Sequence, residues 1–353
     1  MSLQDHSTRA TRRYGRVRGR QDSGGTVSRG TPGPQDGAGS GARRPAWFTW
    51  TVRAVAAAGI VVVAWACLTA WGAVVHGHPL YAVLLGLTVL GCALVLWRSL
   101  RPRPARRGWR LAGDLALVVA GIVWVAAMAW LRPFSAVQPA LDAMVSDDSV
   151  TVTESTTAVT LVPARGADGT AVFFRPGAKV EARAYAAVLR PVAEAGHTVV
   201  IPKQPLAVAF LAGGAFDAAR ERVPQADRWV VGGHSLGGVV ASSDAAGAEA
   251  DDVAPAVGLL LYASYPAEDL SGLTVAVESV SAEHDGLATP AKIEASRETL
   301  PPDATFTVVD GAVHAFFGDY GPQPGDGTAT VSHDEARAEI SSVSTQFVDS
   351  LDR

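Results

Sequence analysis

Three apolar stretches limit what this chain can fold into more than anything else in it. Residues 54–75, 80–97 and 111–131 are each close to the about 20 residues that an α-helix needs to cross a hydrocarbon layer. Peptide groups inside lipid have no water to bond, so such stretches are expected as helices, whose bonds are internal. Trp47, Trp50, Trp71, Trp97, Trp109 and Trp130 fall at or near their ends, where an indole keeps its ring in apolar surroundings and its N–H at headgroup depth. The reading is a three-helix membrane anchor over residues 47–131. A hydrophobic content of 48% agrees with it, being high for a wholly soluble enzyme.

Charge divides the chain at the same place. Residues 1–132 hold 17 Lys and Arg against 4 Asp and Glu, and residues 133–353 hold 13 against 30. The basic part suits anionic headgroups, and the acidic part disfavours nucleic acid as a partner. Residues 1–46 are rich in Arg, Gly, Ser, Pro and Gln with almost nothing large and apolar to bury, and are expected to form a disordered tail. A cleavable leader fits poorly, because the basic segment is long and two further apolar runs follow the first. The tail and the Arg-rich loop at 98–110 flank a turn, 76–79, that lacks Lys and Arg. Tail and loop are therefore expected on the cytoplasmic side, which sends everything after residue 131 to the extracytoplasmic side. Asp114 reads as a solvated or Arg-paired end residue. Cys67 and Cys92 both lie in apolar runs, with neither metal-ligand spacing nor a disulfide framework.

After a connector at 132–149 the pattern changes to short β-branched runs alternating with Ala-rich amphipathic segments. Residues 150–153 and 158–162 read as a leading hairpin. Strands are expected at 170–174, 198–201, 228–232, 258–262, 274–281 and 305–310, and helices at 181–195, 206–220, 236–250 and 290–300. Such alternation implies an α/β domain over residues 150–353, a doubly wound, mostly parallel sheet covered on both faces.

The strongest local signal is an apolar run from Arg228 into Gly233-His234-Ser235-Leu236-Gly237 and on into a helix. This is the G-x-S-x-G pattern in its strand-to-helix setting. The serine occupies a sharp, strained turn, and Gly233 and Gly237 remove side chains that would collide with the neighbouring strand or helix. A serine hydroxyl needs a base in reach, and the base needs a carboxylate to orient it. In the order serine, acid, histidine, the chain offers Asp285 after one strand and His314 after the last. Glu283 crowds the acid position, but Asp285 precedes a glycine that permits a tight turn. His234 is expected to pack in the elbow with its side chain directed away from that of Ser235. His333 reads as a solvated surface group. An oxyanion hole needs backbone donors, for which Leu236, Gly177 and Ala178 are the candidates. Arg175 and Lys179 flank that turn as solvated cations, an anionic substrate group being the sharper alternative.

Taken together, Arg175-Pro176-Gly177-Ala178-Lys179, Gly232-Gly233-His234-Ser235-Leu236-Gly237-Gly238, and the segment 314–327 with its Gly-Pro-Gln-Pro-Gly-Asp-Gly end resemble the α/β-hydrolase superfamily. More narrowly they resemble its bacterial dienelactone-hydrolase-like (carboxymethylenebutenolidase-like) group, with serine where those enzymes carry a cysteine nucleophile. The resemblance implies Ser235 as nucleophile, Asp285 as acid and His314 as base, with no metal and no organic cofactor. It leaves the substrate open; the triad chemistry is read as that of a serine esterase acting on a small-molecule ester, and the absence of a long insertion after Tyr262 favours smaller esters over long-chain lipids. The other reading is a catalytically idle domain of the same fold, tethered as a binding module. Asp319 and Asp326 supply too few carboxylates for a calcium site of about 6 to 8 oxygen ligands, so 318–327 is read as a turn packed behind His314.

Overall fold

A computed structural model describes residues 45–101 and 108–351. The expected disordered tail, and most of the Arg-rich loop between the second and third apolar stretches, lie outside the described residues.

The first apolar stretch forms two helices rather than one. α1 (Ala46–Thr69) ends where Ala70 leaves helical geometry, and α2 (Trp71–His76) follows. Hydropathy carries no mark of this break, because its cause lies sixty residues on. Arg132 donates from Nε to Thr69 Oγ1 (2.8 Å) and from its guanidinium to Thr69 O (3.0 Å), and Ser135 Oγ accepts from Ala73 N (3.1 Å). Backbone groups left open at a helix end need such partners. α3 (Pro79–Ser99) starts with proline at its first position, and His78 Nδ1 accepts from Leu80 N, a capped start. α4 (Trp109–Trp130) completes the set. α1, α3 and α4 are each long and apolar enough to cross a membrane. α1 packs against both others. Trp124 Nε1 donates to Thr88 Oγ1 (2.9 Å) and Tyr81 Oη to Met128 O (3.1 Å) between α3 and α4. Asp114 is buried, not solvated.

The remainder builds one eight-stranded sheet in the order β1-β2-β4-β3-β5-β6-β7-β8. Its strands are β1 (Val150–Glu154), β2 (Ala158–Pro163), β3 (Thr170–Arg175), β4 (Thr198–Pro202), β5 (Arg228–His234), β6 (Ala256–Tyr262), β7 (Ala276–Ala282) and β8 (Thr305–Val309). β1 and β2 form the antiparallel leading hairpin, β2 joins β4 antiparallel, and all remaining pairs are parallel. Successive side chains of a strand face opposite ways, and β3 shows the result. Val172 and Phe174 enter a core with Val188, Leu189, Ile340 and Val348, whereas Ala171 and Phe173 enter one with Phe216, Trp229, Ala241 and Ala245. The first core lies under α5 (Ala186–Ala195) and the second under α6 (Ala215–Arg222) and α7 (Leu236–Ala248). The short α8 (Pro290–Ala295) follows β7, and α9 (His333–Ser350) packs on α5.

The expected helix at 206–220 is replaced over its first half by two tight turns, Pro205–Ala207 and Ala209–Leu211, before α6 begins. Leu206 and Ala207 hold positive φ angles there. α9 is an element that apolar periodicity does not announce, since its buried face consists of Ala336, Ile340, Ser341, Ser344 and Val348. Its start is written plainly in a capping box, Ser332 with Glu335. Arg337 on its first turns donates two hydrogen bonds, at 2.7 and 3.1 Å, to Asp319 Oδ1, and Asp319 is fully buried. His333 is not a free surface group: it stacks on Phe316 with rings 4.4 Å apart and bonds to Phe316 O.

A buried carboxylate deprived of its cation is costly, so Arg337→Met is expected to destabilise the domain by about 3–5 kcal/mol and lower its thermal midpoint by roughly 6–20 °C. Adding Asp319→Asn should recover part of the loss. A thermal scan of the detergent-solubilised full chain checks this, and an unchanged midpoint in Arg337→Met would refute it.

Candidate active site

Ser235 joins β5 to α7 with φ 52° and ψ −124°, a region that costs a non-glycine residue about 1–3 kcal/mol and persists only when its surroundings enforce it. The enforcement is visible on every side. Ser235 N donates to Tyr262 O (2.9 Å), and Ser235 O accepts from Gly238 N (2.9 Å) and Ser264 Oγ (2.7 Å). A Cβ on Gly233 would stand 2.5 Å from Gly237 C, and one on Gly237 would stand 2.3 Å from Arg175 O and 2.4 Å from Pro176 O. The two glycines let the helix start press against both its own strand and the end of β3.

His314 lies in the turn after β8, and its Nδ1 is 2.8 Å from Asp285 Oδ2, with both side chains buried. Asp285 Oδ1 accepts from Leu287 N (2.7 Å) and Ala288 N (2.8 Å). A carboxylate held by backbone amides is an acceptor, so the shared hydrogen belongs to His314 Nδ1, which leaves Nε2 with a lone pair. His314 Nε2 is buried and has no hydrogen-bond partner among the described residues. Glu283 takes no part, since its carboxylate accepts from Gly311 N (2.8 Å).

His234 packs in the elbow, its ring centroid 4.5 Å from that of His314 and stacked on Phe317. Its Nδ1 lies 2.8 Å from Tyr185 Oη, which also accepts from Gly177 N at 2.9 Å. The amide can only donate, so the phenolic hydrogen points to His234 Nδ1. Burial, and His314 beside it, push the His234 pKa well below the usual imidazole value, and burial raises the Tyr185 phenol. Both groups are therefore neutral near pH 7.

This arrangement corrects one expected donor. Gly177 N is committed to Tyr185 Oη and is not free to hold an oxyanion; the sequence shows the turn but not the tyrosine that folds back over it. Leu236 N, first in α7, and Ala178 N have no acceptor among the described residues. The loop carrying Ala178 is fixed by Gln204 Nε2 donating to Pro176 O (2.9 Å) and Lys179 N donating to Ala207 O (2.7 Å). Arg175 is not solvated, whereas Lys179 is half-buried. Arg175 is fully buried and bonds to Asp244 and to Ala212 O. Lys179 Nζ donates to Trp130 O (3.2 Å) above the indole ring, and burial, then Arg132, lower its pKa.

The residue that sequence reasoning undervalued is Asp326. Its carboxylate accepts from Gly286 N (3.2 Å), His314 N (3.1 Å), Ala315 N (2.8 Å) and Gly327 N (2.7 Å). One side chain thus clips the turn of Asp285 to the turn of His314. The contact is close, because a Cβ on Gly286 would lie 2.5 Å from Gly325 O.

Residues 171–338 match the model of the alpha/beta hydrolase family, and the C-terminal region carries the α/β-hydrolase fold. Among solved structures the chain is similar to a thermostable esterase from Pseudomonas putida, at 15% identity and a TM-score of 0.45, covering 60% of this chain and 87% of that one. It is similar also to a monoacylglycerol lipase from Paleococcus ferrophilus, at 13% identity and TM-score 0.43, with coverage of 57% and 99%. A thermophilic esterase from Thermogutta terrifontis gives 11%, 0.43, 58% and 95%. These are likenesses of fold. No curated protein matches the chain.

Hydrogen bonds to a charged group contribute about 1.5–3 kcal/mol each. Asp326→Ala is therefore expected to speed amide exchange at Gly286, His314 and Ala315 by about tenfold or more, read by hydrogen-exchange mass spectrometry, with Asp326→Asn intermediate. Unaltered exchange in the alanine variant would show that the clip is dispensable.

Proposed function

We propose that the chain is a membrane-anchored serine hydrolase that cleaves a carboxylic ester through an acyl-enzyme on Ser235. The observation that carries the reading is the buried, partnerless Nε2 of His314, whose other nitrogen is held by Asp285, in a domain whose nucleophile elbow carries Ser235. A polar atom buried without a partner is costly, and an imidazole oriented by a carboxylate with its other nitrogen left open is what a general base requires.

In this reading Ser235 Oγ attacks the ester carbonyl while His314 Nε2 takes the hydroxyl proton. Asp285 steadies the imidazolium that forms. The backbone amides of Leu236 and Ala178 hold the oxyanion, and the dipole of α7 favours negative charge at that place. Collapse of the tetrahedral intermediate expels the alcohol, which receives its proton from His314, and water then releases the acid by the same steps in reverse. Within the family, the serine version of the dienelactone-hydrolase-like group fits the three sequence segments best. The three apolar helices serve as the anchor, with the hydrolase domain on the extracytoplasmic side, and neither a metal nor an organic cofactor enters the scheme.

Purified full-length chain is expected to hydrolyse p-nitrophenyl esters between acetate and octanoate, and Ser235→Ala and His314→Ala should each lower turnover by about 10³-fold or more. Activity that survives Ser235→Ala would contradict the reading. Folded wild type that cleaves none of these esters would favour the idle binding module instead.

A further inference from the structure

The anchor and the nucleophile meet at one edge of the sheet. β3, β4 and β5 run parallel, so the loops that follow them leave from the same edge as Ser235. Both the loop after β3 and the loop after β4 touch the anchor. Phe134 N donates to Lys179 O (2.7 Å), Glu181 N donates to Phe134 O (3.0 Å), and Lys179 Nζ reaches Trp130 O at the end of α4. Leu206, after β4, packs into the cluster formed by Val63, Ala66, Val74, Tyr81 and Leu85.

These contacts bound the height of the nucleophile above the apolar helices. Pro176 O abuts Gly237, two residues from Ser235, and Lys179 lies three residues further along, at most about 11 Å of chain. Trp71 and Trp130 are exposed at this end of the helices, at the level where indoles settle in a membrane interface. On the loop that carries Leu206, Phe210 and Leu211 are 63% and 53% exposed. They form an apolar pair beside the catalytic edge, next to the anchor, which a substrate arriving from bulk water does not need.

We propose that the ester belongs to a membrane-resident amphiphile, drawn from the leaflet beneath this edge so that its tails remain largely in hydrocarbon while the ester rises to Ser235. The inference rests on the serine-hydrolase reading of the same site. Phe210 and Leu211 cover the methylenes that leave the bilayer, a contact that offsets their exposure to water. A domain without a long lid then needs no deep acyl groove of its own, because the bilayer supplies it.

The test uses full-length chain in nanodiscs of ether-linked phosphatidylcholine, which offers no ester. One set of discs is doped with a fluorogenic acylglycerol and another with a fluorogenic phospholipid bearing the same acyl ester, and p-nitrophenyl butyrate is added to the water phase as comparator. The expected result is turnover of at least one lipid ester that rises with its mole fraction in the disc. The Phe210→Ser, Leu211→Ser double variant should lower the ratio of lipid-ester to p-nitrophenyl butyrate turnover about tenfold. Wild type that cleaves p-nitrophenyl butyrate but neither lipid at any mole fraction would overturn the inference, as would an unchanged ratio in the variant. Loss of p-nitrophenyl butyrate turnover in wild type, with no labelling by a fluorophosphonate, would instead remove the hydrolase reading beneath it.

Discussion

The close approach of Gly237 to the end of β3 is the contact on which the site depends. With hydrogen in place of Cβ, the first turn of α7 presses against Arg175 O and Pro176 O, and the turn that connects β5 to the helix so placed holds Ser235 at φ 52°. The strain of that residue is opposed by bonds from Tyr262, Gly238 and Ser264. The same approach brings the first turn of α7 against the end of β3 and the start of the loop that follows it. Larger side chains at Gly233 or Gly237 would part helix from strand.

Around this elbow the chain holds its titratable groups by backbone amides more than by other side chains. Asp285 is fixed by Leu287 N and Ala288 N, and the turn of His314 by Asp326. Tyr185 and His234 form a neutral pair beside His314, with Gly177 N donating to the phenol. Amide donors on short turns are pre-positioned when the turn folds, and little reorganisation is needed when charge develops. The end of α4 adds a second support, since Lys179, two residues past Gly177, is tied to Trp130.

Much of this was legible in the sequence, and where it was not the cause is physical. The strand at Arg228 and the Gly-x-Ser-x-Gly turn carry their geometry in local residue choice, and so did the leading hairpin and the parallel sheet of the α/β-hydrolase fold. The three apolar helices were plain from length alone, but the break at Ala70 was not, because its partners Arg132 and Ser135 lie some sixty residues further along the chain. Asp285 and His314 were named from order along the chain, and the structure brings their side chains together. Gly177 was misread as an oxyanion donor since the phenol that takes its amide comes from Tyr185, eight residues on. Asp326 was weighed only as a metal ligand, because three amide contacts from two separate turns leave no spacing pattern. α9 shows the same limit, with a buried face in which Ser341 and Ser344 lie among Ala336, Ile340 and Val348, so that only tertiary packing makes it a core face.

Covalent capture tests the proposed role of Ser235 as activated nucleophile most directly. Full-length chain in detergent is treated with a fluorophosphonate, digested, and mapped by mass spectrometry. The account predicts a single adduct on the peptide containing Ser235, absent when His314 is replaced by alanine. A folded chain that gains no adduct, or gains it at another serine, would contradict it.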